Sequence, residues 1–145
     1  MEAIIFIGLQ ATGKSTFFRE YFYHSHLRIN LDMLKTRHRE AIILKACIEA
    51  KQSFVVDNTN PTVEDRKRYL SPARQAGFKM IGYYFRSRLP EARVRNRQRV
   101  GKACIPEQGL RATAMILQIP SFSEGFDQLY YVIQDQGRFV IKDWK

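Results

Sequence analysis

Cysteine is scarce in this chain: there are two, Cys47 and Cys104, with neither pairing nor metal-ligand spacing between them. That excludes a disulfide framework, and Cys47 lies in an apolar helical stretch where a small buried side chain is its expected role. Histidine is as rare, and His24, His26 and His38 are not grouped with carboxylates or cysteines, so no zinc pattern is present. Long apolar runs are missing too. The longest, Ala3 to Leu9, contains a glycine and falls far short of the ~18 residues of a membrane span, and no basic segment precedes it. A soluble, unexported, cytoplasmic protein is the expectation. Repeats, low-complexity segments and linkers are absent, so the 145 residues are expected to form one domain, residues 1–145. Negative charge is the other scarcity. Fourteen acids face 24 lysines and arginines, for a formal net charge of +10. The imbalance is concentrated between Arg86 and Lys102, where seven bases accompany one acid, Glu91, and form a basic face suited to phosphates.

What is present begins at the N-terminus. "AIIFIGLQATGKSTFF" is a buried-strand pattern running into a glycine, four loop residues and Gly-Lys-Ser-Thr. Gly8 to Ser15 fits G-x-x-x-x-G-K-[ST], the phosphate-binding loop. Gly8 and Gly13 allow the tight turns that aim successive N–H groups, those of Ala11 and Thr12 among them, into one concavity. The helix opening near Gly13 and running through Thr16 adds its positive end. Lys14 would reach the β- and γ-phosphates, and the Ser15 hydroxyl would ligate Mg²⁺. The motif predicts binding of a nucleoside triphosphate, ATP with Mg²⁺.

Strand and helix patterns then alternate, which predicts an α/β fold with a mainly parallel central sheet flanked by helices. "LRIN" reads as a second strand, Met33 to Lys51 as one helix with Leu34, Ile42, Leu44 and Ile48 on its apolar stripe, and "SFVVD" as a third strand. Thr62 and Asp65 mark the cap of a helix running to about Gln75 and stopped by Gly77. "FKMIGYYF" is a fourth strand. Pro90 opens an arginine-bearing helix that Gly101 is expected to end, "IPEQGLRATAMILQIP" holds a further short helix, and "LYYVIQ" and "RFVIKDW" are two strands joined at "DQG".

Ligands of open parallel sheets sit beyond the carboxyl ends of the strands, so Asp32 and Asp57, each directly after a strand pattern, are the acids to inspect. Asp57 could hold the Mg²⁺ shell or cap the loop "DNTNP". Asp32 could be an N-cap or a general base taking the proton of a hydroxyl acceptor. Arg93, Arg95, Arg97 and Arg99 alternate, and a 3.6-residue period puts Arg95 with Arg99 on one face and Arg93 with Arg97 on the other. A lid arginine on the transferring phosphate is expected from this group.

Taken together, "GLQATGKST", "RINLDML", "VVDNTNPTVEDRKRYLSPARQAGF", "RNRQR" followed by "IP", and "SEGFD" resemble the kinase domain of the polynucleotide 5′-hydroxyl kinases over nearly the whole length. The resemblance implies a P-loop kinase fold with an arginine-bearing lid. It implies Lys14, Asp32 and Arg99 as catalytic residues and Ser15 and Asp57 at the metal. It further implies Arg95 beside the donor nucleotide, Lys35 and Asn58 beside the acceptor, and nucleic acid 5′-hydroxyl ends as partners. Phage-type members carry an arginine three residues after the base, where this sequence has Lys35, a poorer bidentate partner. The 145 residues themselves are expected to hold no phosphatase or ligase module.

Two other functions compete. Similar P-loop kinases phosphorylate sugars, nucleosides or antibiotics, so a small-molecule alcohol is the alternative acceptor. A nucleotide-binding switch or motor is opposed by the lack of an N-K-x-D motif and of D-x-x-G after Asp57. The further bases Lys35, Arg37, Arg39, Arg66, Lys67 and Arg68 favour a polyanionic acceptor.

Overall fold

Alternation along the first strand sets the architecture, seen here in a computed structural model describing Met1–Lys145. In β1 (Glu2–Ile7), Ala3, Ile5 and Ile7 belong to one apolar layer and Ile4 and Phe6 to another. Both faces of the strand are therefore covered, as a central parallel strand requires. Around it run β2 (Leu27–Ile29), β3 (Phe54–Val56), β4 (Lys79–Phe85), β5 (Gln128–Asp135) and β6 (Arg138–Asp143), in the order β2-β3-β1-β4-β5-β6. All neighbours are parallel except β6, which turns back on β5 through Gln136 and Gly137, both with positive φ.

Helices cover the two faces. On the Phe6 side lies α1 (Lys14–Tyr21), whose Phe17 and Phe18, with Phe22 just beyond, form an aromatic layer: Phe17 meets Phe6 at 5.7 Å and Phe85 at 5.2 Å between ring centroids, both edge-on. On the Ile5 side lie α3 (Arg37–Ala50) and α4 (Val63–Gln75), contributing Leu44, Cys47, Tyr69, Leu70 and Ala73. Two further helices, α5 (Leu89–Arg97) and α6 (Glu107–Ile116), close on the end of the phosphate-loop strand through a small cluster of Leu9, Ala92 and Leu110. No helix is long and apolar enough to cross a membrane.

The cap of α4 is where the spacing placed it: the Thr62 hydroxyl accepts from the Asp65 N–H at 3.1 Å while the Asp65 carboxylate accepts from the Thr62 N–H at 3.3 Å. Three expectations are corrected. The helix expected over Met33 to Lys51 is two, α2 (Leu31–Leu34) and α3, because Lys35 adopts a left-handed φ of 77° and Thr36 caps the second helix by accepting from the Arg39 N–H. Ile42, expected on the apolar stripe, is 54% exposed. The arginine helix ends at Arg97 rather than Gly101. The buried Asn96 side chain exchanges hydrogen bonds with Ile105, donating to its carbonyl at 2.7 Å and accepting from its N–H at 2.8 Å. That exchange closes residues 98–104 into a loop with one short 3-10 turn, Gly101–Ala103.

Candidate active site

The parallel order brings three strand ends together: β1 runs into the phosphate loop, β2 into Asn30 and Asp32, and β3 into Asp57 and Asn58. They line one cleft of about 560 Å³, to whose lining Arg99 and Lys102 also contribute.

The loop is anchored at its start, where the Gly8 N–H donates to the Thr59 carbonyl and the Leu9 N–H to Ser87 Oγ, each at 3.0 Å. Gly13 has a left-handed φ of 96°, and a Cβ there would stand 2.8 Å from Gln134 Oε1 and 2.9 Å from Phe139. Only glycine serves at that position. Ala11 is also left-handed, and Thr12 ties its hydroxyl to the Leu9 carbonyl at 2.8 Å. The Lys14 ammonium is folded back into this loop, donating to the carbonyls of Gly8, at 3.0 Å, and Leu9. Burial lowers its pKa from 10.5 to about 8; Asp57 opposes the shift and Arg99 adds to it.

Beside it, the Ser15 hydroxyl donates to Asp57 Oδ2 at 3.0 Å. The Asp57 side chain is buried and reaches Ser15 and Arg28 rather than the backbone of its own loop, which rules against the capping role. Ser15 and Asp57 form a pair of hard oxygen donors, the set that suits Mg²⁺ with several of its waters retained.

Asp32 is not the N-cap of α2. Asn30 is: its Oδ1 accepts from the Met33 N–H at 2.9 Å, while its Nδ2 holds the Asp57 carbonyl at 2.6 Å. The Asp32 carboxylate is exposed on the cleft wall. Lys35, the positive-φ residue between α2 and α3, is not on that wall; Arg37, at the first position of α3, is. Its guanidinium donates to the buried Glu40 at 2.8 Å and to Tyr69 Oη at 3.1 Å. Asn58 lines the cleft but has its amide committed, accepting from the Leu31 N–H and donating to Glu40 and Tyr69. Burial first, and then the charge of Glu40, raises the Tyr69 pKa, so the phenol stays neutral within this network.

Arg99 lies beyond the end of α5, not on its face with Arg95. It donates to the Ala103 carbonyl at 3.1 Å and reaches the cleft, whereas Arg95 donates to the Gln134 carbonyl at 3.0 Å and does not line it. Thr16 sits in the first turn of α1, outside the cleft lining. Arg66, counted above among bases for a polyanionic acceptor, is wholly buried. It forks onto Glu124, at 2.8 and 3.2 Å, and onto the carbonyls of Asn60, Pro61 and Gln118. Arg28 is the cleft cation that sequence reasoning missed, and Arg37 and Lys102 were counted there only among general phosphate-facing bases, without a place in the site. For Arg37 a signal was there, since a threonine N-cap at Thr36 fixes the first residue of the helix.

Residues 4–117 match the family described as AAA domain. The bifunctional polynucleotide phosphatase/kinase of Schizosaccharomyces pombe is 31% identical over 132 residues, covering 86% of this chain and 32% of that protein. The chain thus spans about a third of that relative's length. Among solved structures, Chaetomium thermophilum Kti12 in complex with ADP-AlF3 superposes with a TM-score of 0.73 at 15% identity, covering 92% of this chain and 89% of that one. A gluconokinase from Sinorhizobium meliloti gives 0.65 at 17%, covering 93% and 83%. These two likenesses are of fold. With its phosphate loop, its parallel sheet and a family match over most of its length, the chain belongs to the AAA domain family and is built as a P-loop kinase domain.

Proposed function

We propose that residues 1–145 act as an ATP-dependent kinase that transfers the γ-phosphoryl group to the 5′-hydroxyl end of a nucleic acid. The observation that carries the reading is Asp32: a carboxylate on the wall of the phosphate-loop cleft, released from helix capping by Asn30. In this reading the bond from the acceptor oxygen to the γ-phosphorus forms as the bond to the β–γ bridging oxygen breaks. The acceptor proton passes to the Asp32 carboxylate and later to water. Lys14 exchanges loop carbonyls for phosphate oxygens, and Arg99 with Lys102 neutralises charge growing on the transferring group. Ser15 and Asp57 would hold Mg²⁺, which when bound offsets the charge of the donor phosphates.

The nucleic-acid acceptor is supported by the similarity to the bifunctional polynucleotide phosphatase/kinase and by Arg37, a planar fork fixed by Glu40 on the Asp32 side of the cleft. A small-molecule alcohol is the second reading, favoured by the loss of Arg66 to a buried ion pair, which thins the basic surface. Labelled ATP with a panel of 5′-hydroxyl oligonucleotides, nucleosides and sugars separates the two. An oligonucleotide should be phosphorylated with the highest kcat/KM. Its KM should rise with salt by about 0.7 log units per log unit of salt for each contacted phosphate. Arg37→Ala should lower that slope and Lys35→Ala leave it near wild type. A sugar or nucleoside outperforming every oligonucleotide would reject the nucleic-acid acceptor.

A further inference from the structure

Arg28, at the middle of β2, carries its guanidinium to the one pair of oxygens best suited to a divalent cation. Its Nε donates to Asp57 Oδ2 at 2.8 Å and one terminal nitrogen donates to Ser15 Oγ at 3.1 Å, with the fork lying over the Phe18 ring at 6.0 Å from the centroid. The hydrogen-bond bookkeeping is restrictive. The Ser15 hydroxyl donates its proton to Asp57 and accepts from Arg28, so a metal ion seeking the Ser15 oxygen meets an N–H already aimed at its lone pairs. The same oxygen of Asp57 accepts from both Ser15 and Arg28. A guanidinium beside a dication would add repulsion on top of that steric competition.

We propose that Arg28 is a built-in counter-ion of the metal site: it neutralises the buried Asp57 and holds the Ser15 hydroxyl, and it must release Ser15 when metal and nucleotide bind together. Arg28 thereby sets how strongly a divalent cation tightens nucleotide binding. The proposal rests on the reading of Ser15 and Asp57 as the metal donors. Removing the guanidinium frees the Ser15 lone pairs and leaves Asp57 without its cation, and both effects favour the metal. A charge-assisted hydrogen bond of ordinary strength corresponds to a change on the order of tenfold.

The test is the affinity for a non-hydrolysable ATP analogue in saturating Mg²⁺ divided by its affinity in EDTA, a binding readout that cancels any uniform effect on the nucleotide site. Arg28→Gln should raise this ratio by on the order of tenfold over wild type. Arg28→Lys keeps the charge next to Asp57, which protects folding, but lacks the planar fork that spans both oxygens. It should raise the ratio by a smaller factor. A ratio equal to or below wild type in a folded Arg28 variant would overturn the proposal. Ser15→Ala provides the separate control: a ratio unchanged by that substitution would overturn the metal-site reading itself, whatever the Arg28 variants do.

Discussion

Nucleotide binding should take up a proton at mildly alkaline pH, and the proton should land on Lys14. Burial in the phosphate loop holds this ammonium at about 8 in the free protein. Phosphate oxygens favour the charged form and return it toward the ordinary value of about 10.4. At pH 7 about nine in ten molecules carry the charge; at pH 9 about one in ten do. If only the charged form binds, affinity falls about tenfold between those two values, and near pH 9 about 0.9 proton is taken up per nucleotide. Calorimetric titration of ADP in buffers of different ionisation enthalpy measures both quantities. Lys14→Met should bind weakly at every pH and show no uptake. Arg99→Ala should move the midpoint upward, because the nearby guanidinium contributes to lowering the Lys14 pKa. The same shift has a consequence for the free protein. Between pH 8 and 10.5 the unfolded chain binds more protons at Lys14 than the folded one, so this residue's contribution to stability increases with pH across that window. An affinity flat from pH 7 to 9, or a Lys14→Met variant that keeps the wild-type slope, would refute the reasoning.

Asp32→Asn should reduce kcat by about 10²–10⁴ while nucleotide affinity stays near wild type, since the amide cannot accept the acceptor proton and the capping of α2 rests on Asn30; parallel loss of affinity and rate in single-turnover and binding assays would contradict it. Arg99→Ala should cost about 10²–10³ in turnover, whereas Arg95→Ala and Arg97→Ala, which alter no cleft-lining group, should stay within a few-fold; a reversed ranking would show that the loop after α5 is not the lid. Glu124→Gln should destabilise the fold by about 3–5 kcal/mol in urea titrations by leaving Arg66 buried without its counter-charge, and an apolar replacement of both partners should recover much of that loss.

The sequence by itself determined the elements whose information is local. The phosphate loop is specified by residue types at fixed spacing, because glycine conformations, a lysine's reach and a hydroxyl at the helix start are requirements of adjacent residues. The β1 and β4 strands and the Thr62–Asp65 cap were legible for the same reason: apolar runs and i, i+3 pairs need no distant partner. Tertiary structure decided what depends on competition between near neighbours or on partners far along the chain. Asn30 and Asp32 are both able caps, and only the pull of the Asp57 carbonyl on the Asn30 amide selects the first and leaves the second to the cleft. Lys35 and Arg37 are equivalent as charges, yet only Arg37, at the start of α3, lines the cleft. Arg66 looked like surface charge until Glu124, 58 positions later, enclosed it. Arg99 left its expected helical face because Asn96 closes on Ile105. Arg28, 29 residues before Asp57, reaches Asp57 and Ser15 only through the pairing of β2 with β3. A charge in a sequence does not reveal whether it will meet water, a counter-ion or a ligand, since that is fixed by the chain segments that fold against it.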